Sequence, residues 1–454
     1  MIKIGLEIHQ RLDTHKLFCN CPSDLRKDNP NLEINRKLRA VKGESGKIDS
    51  AAKHEMDKSL NFKYQAYNST TCLVELDEEP PNKLNQEALK TTIQVAKLLN
   101  CTIVDKISFM RKTVVDGSNT SGFQRTALIG LNGYIQTSEK KVRIGSIYLE
   151  EESAKNIENK ITWRLDRLGI PLIEIQTEPD IISAQHAKET AEKIGMILRS
   201  TNKIKRGIGS IRQDINISVN NGNRVEIKGF QDLKSIPKVI EKEIQRQKKS
   251  EVKSEVRKAN SDGTTSFMRP MPGGARMYPE TDVKQIEITK NLLKIKKPEL
   301  IEEKISKLSK KYKIPEHISR EIIKNEIDFS EKIKKFANLK AKTIAGILIE
   351  TPKEIKKRFN LEVTEEILEK TLHHLNKKEI SKDDITNTLK KLIKGEKIIF
   401  QKLLSEIEIE IELKKLIKKH PNLNPKQLMG EAMKIFKGKA EGKKVMELLN
   451  KLKE

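Results

Sequence analysis

The stretch Met1–Leu12, MIKIGLEIHQRL, alternates with a period of two: Ile4, Leu6 and Ile8 point one way, and Lys3, Gly5, Glu7 and His9 the other. This predicts an opening strand with one face for a core and one face bearing a carboxylate beside an imidazole. Glu and His two apart on a strand both reach a single divalent cation, through carboxylate oxygen and neutral imidazole nitrogen. An isolated E-x-H more often marks the solvated face of an edge strand. Its weight here comes from later stretches that repeat the pattern.

Outward from that strand, 454 residues exceed what one core serves and predict two or three domains. Apolar residues are 36% and charged residues 34% of the chain, and no apolar run approaches the ~20 residues of a membrane span, so a membrane protein is excluded. The chain opens directly in a strand, so no export signal is expected. Cys19, Cys21, Cys72 and Cys101 make no disulfide framework in so long a chain, which fits a reducing cytoplasm. The formal charge of +25 suits a polyanion partner, although a Lys-rich composition arises equally as a general bias.

In KLFCNCP, Cys19 and Cys21 form half of a zinc site with no second C-x-x-C in reach, so a buried or weakly metal-binding pair is expected in place of a filled site. Cys72, in CLVELDEEPP, offers a third thiol. Asn85–Leu99 has the spacing of a packing helix. From Lys106 a strand leads to Arg111 and Lys112, then to a small-residue loop with Asp116, Gly117, Ser118, Asn119, Ser121 and Gly122, then to Arg125. Small residues let backbone N–H groups approach phosphate, and the three cations flank them; a surface hairpin explains the same residues equally well. No Walker A loop occurs. Glu150, Glu151 and Glu152 follow an apolar strand directly. In PLIEIQT, SIRQDINISV and RVEIKGF, apolar positions again alternate with Glu174, with Arg212, Asp214 and Asn216, and with Glu226 and Lys228. One solvated face is ordinary in an antiparallel sheet. A face that mixes short acids, Arg, Lys and Asn suits a nucleotide–Mg²⁺ site, where cations clamp phosphate.

Seven motifs carry a resemblance: GLEIH (Gly5–His9), KLFCNCP (Lys16–Pro22), CLVELDEEPP (Cys72–Pro81), NTSGFQRT (Asn119–Thr126), SIRQDINIS (Ser210–Ser218), VEIKGFQDL (Val225–Leu233) and RPMPGGARMYPETD (Arg269–Asp282). Long, ordered and spread over most of the chain, they resemble the E-type subunits (GatE) of the archaeal glutamyl-tRNA(Gln) amidotransferases, relatives of the bacterial B-type subunits (GatB). The resemblance implies a tRNA-dependent kinase and amide synthase that uses ATP and Mg²⁺ to activate the side-chain carboxylate of Glu on Glu-tRNA(Gln). Ammonia would come from a separate asparaginase-like D-type partner, in a heterotetramer of two D-type and two E-type chains. It implies a metal and catalytic set of Glu7, His9, Glu151 and Glu174, with Glu150 or Glu152 as one-step alternatives to Glu151. It places Arg111, Lys112, Ser121 and Arg125 at ATP phosphates, with Arg212, Asp214, Glu226 and Lys228 lining the same cradle. Zinc at Cys19 and Cys21 is not expected, because the family's cysteine set is incomplete here.

The implied fold is α+β: a cradle domain over 1–288 on a mainly antiparallel sheet, a helical domain over 289–394 and a helical tail over 395–454. The family's inserted domain, similar to one in bacterial aspartyl-tRNA synthetases, is replaced by a polar linker at 248–265. In the tail, Lys434, Lys437, Lys439, Lys443 and Lys444 beside Gly430, Gly438 and Gly442 suit tRNA phosphates. A second reading is a non-catalytic tRNA-binding or assembly protein with the same fold. A pure binder has no need for the four acid and imidazole positions together, which favours the enzyme.

Overall fold

The computed structural model describes residues 2–43, 46–158, 161–230, 232–273, 276–396, 404–421, 423–436 and 439–453. The chain forms two compact units, Met1–Leu300 and Ile301–Glu454.

The first unit is organised around one large sheet. Ten of its strands, in chain order, are β1 (Ile2–Arg11), β2 (Phe109–Thr113), β3 (Phe123–Gln136), β4 (Lys141–Glu151), β5 (Pro171–Thr177), β6 (Ile211–Val219), β7 (Val225–Phe230), β8 (Glu255–Ala259), β9 (Thr265–Pro270) and β10 (Met277–Pro279). They lie in the order β9-β8-β7-β6-β1-β5-β4-β3-β2-β10, and the short strand Thr102–Ile103 pairs with β3. All neighbours are antiparallel except β7 and β8, which are parallel and joined by a helix. A parallel pair needs such a crossover.

The opening strand lies mid-sheet, between β5 and β6. Ile4, Leu6 and Ile8 are buried in the main core with Ile173, Ile175, Ile215, Ile217, Val225 and Ile227. Three helices cover that face: α1 (Gln86–Leu98) on β3 and β4, α2 (Ala184–Arg199) on β1, and α3 (Ile236–Lys249) on β6. The Asn85 side chain accepts the amides of Glu87 and Ala88 and so starts α1, and Ser183 caps α2 in the same way.

The sheet cannot be flat. Strands β9 and β10 are its two ends, yet only six residues separate them in the chain. Ten flat strands would span roughly 43 Å, and that connection reaches at most about 25 Å. The sheet therefore curls. It curls toward its polar face: Lys112 on β2 reaches within 3.5 Å of Glu174 on β5, three strands away. A concave polar cradle with an apolar, helix-covered back is the result.

Residues 248–265 are not the expected linker. Lys248 and Lys249 end α3, and Glu255–Ala259 is strand β8, paired with both β7 and β9. Val256 is fully buried, and the turn before β9 closes with Gly263 at φ +92° and the Asp262 carboxylate accepting the Thr264 amide. One inward valine and one Asp-Gly turn suffice for a hairpin, even in a sequence this polar.

The second unit is helical. One core runs from Ile314 to Leu389. Another joins Glu406–Lys419, Pro425–Phe436 and Gly442–Lys453 through Leu413, Leu428, Phe436, Val445 and Leu449. Gly430 lies within the second of these helices, not between helices. Among the described residues no helix is long and apolar enough to cross a membrane.

Ile8→Ala, at the centre of the sheet, is expected to cost about 2–5 kcal/mol in chemical denaturation. Ile208→Ala, at a position 98% exposed, is expected to change stability by no more than about 0.5 kcal/mol.

Candidate active site

Strand alternation decides which side chains meet in the cradle. Opposite His9 stand Glu174 on β5 and Arg212 on β6; opposite Glu7 stand Gln176 and Asp214. Asn216 pairs with Glu226, which adds Glu226 and Lys228 to the same face. From the other side, Glu150 and Lys112 point inward. The result is a polar surface that draws on six of the seven strands from β7 to β2.

The donors are close. Single ligand atoms of His9, Glu150 and Glu174 lie within 4.8 Å of one another, as do those of Glu7, His9 and Asp214. His9 Nε2 is 3.5 Å from Glu174, and Lys112 Nζ is 2.9 Å from Glu150 and 3.5 Å from Glu174. Lys228 pairs with Asp214 at 2.7 Å and also with Glu226, while Arg212 donates to Glu152 at 2.9 Å. Asn216 Nδ2 holds Glu7 at 3.0 Å. Among the described residues, His9 Nδ1 is buried with no hydrogen-bond partner. A buried donor set with an unused imidazole nitrogen fits a divalent cation.

Burial and repulsion by Glu174 and Glu226 push the Glu7 carboxyl up to about 7. Burial also raises Glu150, against the pull of Lys112. Burial disfavours the charged form of Glu174, yet Lys112 and His9 outweigh it and hold that carboxyl well below the usual range. Burial and Arg212 oppose protonation of His9, and the bond to Glu174 overcomes them, so its pKa rises. The shifted acids and imidazole are thus tuned by one another.

Several expected residues are elsewhere. Glu151 is on the back of the sheet, where its carboxylate accepts the Arg125 amide at 3.2 Å; Glu150 takes its place in the cradle. Counting in twos from the core residues Ile147 and Leu149 reaches Glu151, so the signal was present in the sequence. Arg111 and Arg125 alternate away from Lys112 in the same manner. Glu280 bridges them, at 2.6 Å from each; Asp282 adds to Arg111, and the Phe123 ring lies within 5.1 Å of both guanidinium carbons. Two cations expected at phosphates are therefore already neutralised. Ser121 lines an open recess of roughly 350 Å³ with Arg125, Glu151, Asn119 and Phe18, outside the cradle donor set.

The cysteines differ from expectation in the other direction. Cys19, Cys21, Cys72 and Glu75 bring their ligand atoms within 4.8 Å of one another. Buried Lys16 holds Glu75 at 3.6 Å, and the Cys72 amide donates to it at 2.8 Å. The fourth donor is a carboxylate, which cysteine spacing does not reveal.

In the tail, Lys434, Lys443 and Lys444 pair with Glu431, Glu447 and Glu406 on the exposed surface, while the Lys439 backbone donates to the Phe436 carbonyl and accepts the Leu404 amide. Such pairs open at little cost. Lys437 and Gly438 lie outside the described residues.

Residues 2–294 match the family described as GatB/GatE catalytic domain. The chain is 36% identical to a protein of Methanocaldococcus jannaschii named as the E subunit of glutamyl-tRNA(Gln) amidotransferase, with 100% of this chain and 98% of the relative covered. Proteins of the same name from Archaeoglobus fulgidus and Methanosarcina acetivorans are 34% and 33% identical, each with 99% of this chain and 97% of the relative covered. The first alignment extends over 620 positions against the 454 residues here, so the relative carries a long segment that this chain lacks.

Burial works against the charge of Glu280, but Arg111 and Arg125 hold its carboxyl down at about 2. A depressed carboxyl stabilises the fold above its unfolded pKa, and that contribution fades as pH falls toward the folded value. Glu280→Gln is therefore expected to destabilise the protein most above pH ~4.5. The gap to wild type should close as pH falls toward 2 in denaturation midpoints measured across that range.

Proposed function

We propose that this chain, which belongs to the GatB/GatE family as an archaeal GatE-type protein without the long inserted segment, is the synthase component of a tRNA-dependent amidotransferase. Its substrate is Glu esterified to tRNA(Gln), and its product is Gln-tRNA(Gln). The observation that carries this reading is the meeting of His9, Glu150, Glu174 and Lys112 in one buried polar cradle. A non-catalytic binder would have no use for charges buried at such cost.

In this reading the Glu side-chain carboxylate attacks the terminal phosphorus of ATP, the bond from that phosphorus to its bridging oxygen breaks, and ADP leaves. Ammonia then attacks the acyl phosphate carbon, the C–O bond breaks, and phosphate departs with the surplus proton. Carboxylate and triphosphate repel, so the site must neutralise charge. Lys112 and Lys228 do this from opposite arms of the cradle. His9, Glu150, Glu174, Glu7 and Asp214 would hold Mg²⁺, which when bound neutralises phosphate charge. The tail lysines Lys434, Lys439, Lys443 and Lys444 would meet tRNA phosphates. Ammonia would come from an asparaginase-like D-type partner, in a cytoplasmic complex of two D-type and two E-type chains.

Zinc joins this reading through Cys19, Cys21, Cys72 and Glu75, a donor set of the kind zinc takes. Elemental analysis of the purified chain is expected to return one zinc per chain, and Cys72→Ser to lose it.

The direct test combines the purified chain with Glu-tRNA(Gln), ATP, Mg²⁺ and concentrated ammonium chloride, which bypasses the partner. Gln-tRNA is expected only when ATP is present. Glu150→Gln and Glu174→Gln should lower turnover by about 100-fold or more with tRNA affinity within about threefold, and Glu151→Gln should cost far less. No product, with tRNA binding intact and ammonia-producing partner added, would sink the synthase reading.

A further inference from the structure

Strand β3 lies between β4 and β2, and its Thr126 stands directly opposite Glu150 on β4. The neighbours of Thr126 in sequence settle its face: Ala127 is in the apolar core, and Arg125 is in the network on the back of the sheet. Residues directly opposite in an antiparallel pair share a face, with Cβ atoms about 4.5–5.5 Å apart. Thr126 and Glu150 are both buried, at 2% and 1% exposure. On its other side Thr126 meets Met110, whose thioether is a weak acceptor. Among the described residues, the Thr126 hydroxyl is buried with no hydrogen-bond partner. Buried hydroxyls nearly always have one, so an idle hydroxyl beside a metal donor needs an explanation.

Glu174, Glu7 and Asp214, the other acids of the donor set, each accept from an uncharged group. Gln176 Nε2 lies 2.5 Å from Glu174, Asn216 Nδ2 lies 3.0 Å from Glu7, and the Gly229 amide lies 3.4 Å from Asp214. Glu150 differs. Among the described residues it accepts only from the Lys112 ammonium, through Oε2 at 2.9 Å. That ammonium would be repelled by a divalent cation on Glu150 and drawn toward phosphate. Once Lys112 turns away, Glu150 has lost its donor, and the idle hydroxyl facing it across the ladder is Thr126.

We propose that Thr126 is a positioning residue for Glu150: its hydroxyl donates to the Glu150 carboxylate when a divalent cation is bound, fixes that carboxylate as a ligand, and releases Lys112 to phosphate. This rests on the Mg²⁺-dependent reading above and adds to it a residue on β3. Removing a group that orients a metal ligand in this way typically lowers metal affinity about 10–100-fold.

The test is Mn²⁺ binding to the full chain freed of Mg²⁺, followed by electron paramagnetic resonance, with the site defined as the binding that Glu174→Gln abolishes. Thr126→Val keeps the side chain's shape and removes the hydroxyl. It is expected to weaken Mn²⁺ about tenfold or more, with Thr126→Ser within about threefold of wild type. Without divalent cation, Thr126→Val should melt no lower than wild type, because the hydroxyl it removes has no partner there. Thr126→Ala carries the same Mn²⁺ expectation and serves if the valine variant does not fold. Wild-type Mn²⁺ affinity in the hydroxyl-free variants overturns the proposal and leaves the synthase reading standing. Equal weakening in Thr126→Val and Thr126→Ser overturns it too, as does a Thr126→Val chain that melts lower without the cation, which marks a purely structural role. Failure of the unmodified chain to bind Mn²⁺ overturns both readings.

Discussion

The structure depends on burying charge inside a curled sheet. Glu7, Glu150, Glu152, Glu174, Asp214 and Glu226 share one face with Lys112, Arg212 and Lys228, so the acids outnumber the paired cations. Each ion taken out of water costs several kcal/mol unless it is compensated. The apolar back offsets that cost, with three helices sealing isoleucine-rich strands against the solvent. The remaining negative charge in the cradle favours a divalent cation, and the cation in turn favours phosphate. Fold and proposed chemistry therefore follow from the same imbalance.

The curl makes this arrangement possible. In a flat sheet the strands that carry Lys112 and Glu174 would lie roughly 14 Å apart, three strand spacings, leaving their side-chain tips short of contact. Here they approach to 3.5 Å, and the short passage from β9 to β10 closes the two edges toward each other. The back of the sheet uses charge differently. Arg111, Arg125, Glu280 and Glu151 form a compact network against Phe123 and Phe18, in which every cation has an acid. Neutralised charge braces the fold, and unbalanced charge is left where a ligand belongs.

The two-faced strands were legible because period two is a local property: β1, β5 and β6 follow it, and β7 follows it from Val225 to Lys228 before a register shift turns Phe230 back into the core. Hydrophobic alternation alone therefore places Glu7, His9, Glu174, Asp214 and Glu226 on polar strand faces. The choice between Glu150 and Glu151 was also local, decided by Leu149 pointing into the core. Strand β8 was less legible, since a single buried valine and an Asp-Gly turn are a weak signal in a polar stretch.

What the sequence determined by itself is therefore the alternation within each strand, the family, and the helical character of the last third. Neighbouring residues dictate these through backbone geometry and apolar spacing. Only the tertiary structure decided which charges meet. Arg111 and Arg125 are neutralised by Glu280, just past β10 and 169 and 155 residues later in the chain, and Glu75 accepts from Cys19, 56 residues earlier. Long-range pairing and curvature bring those groups together, and neither is written in any local window.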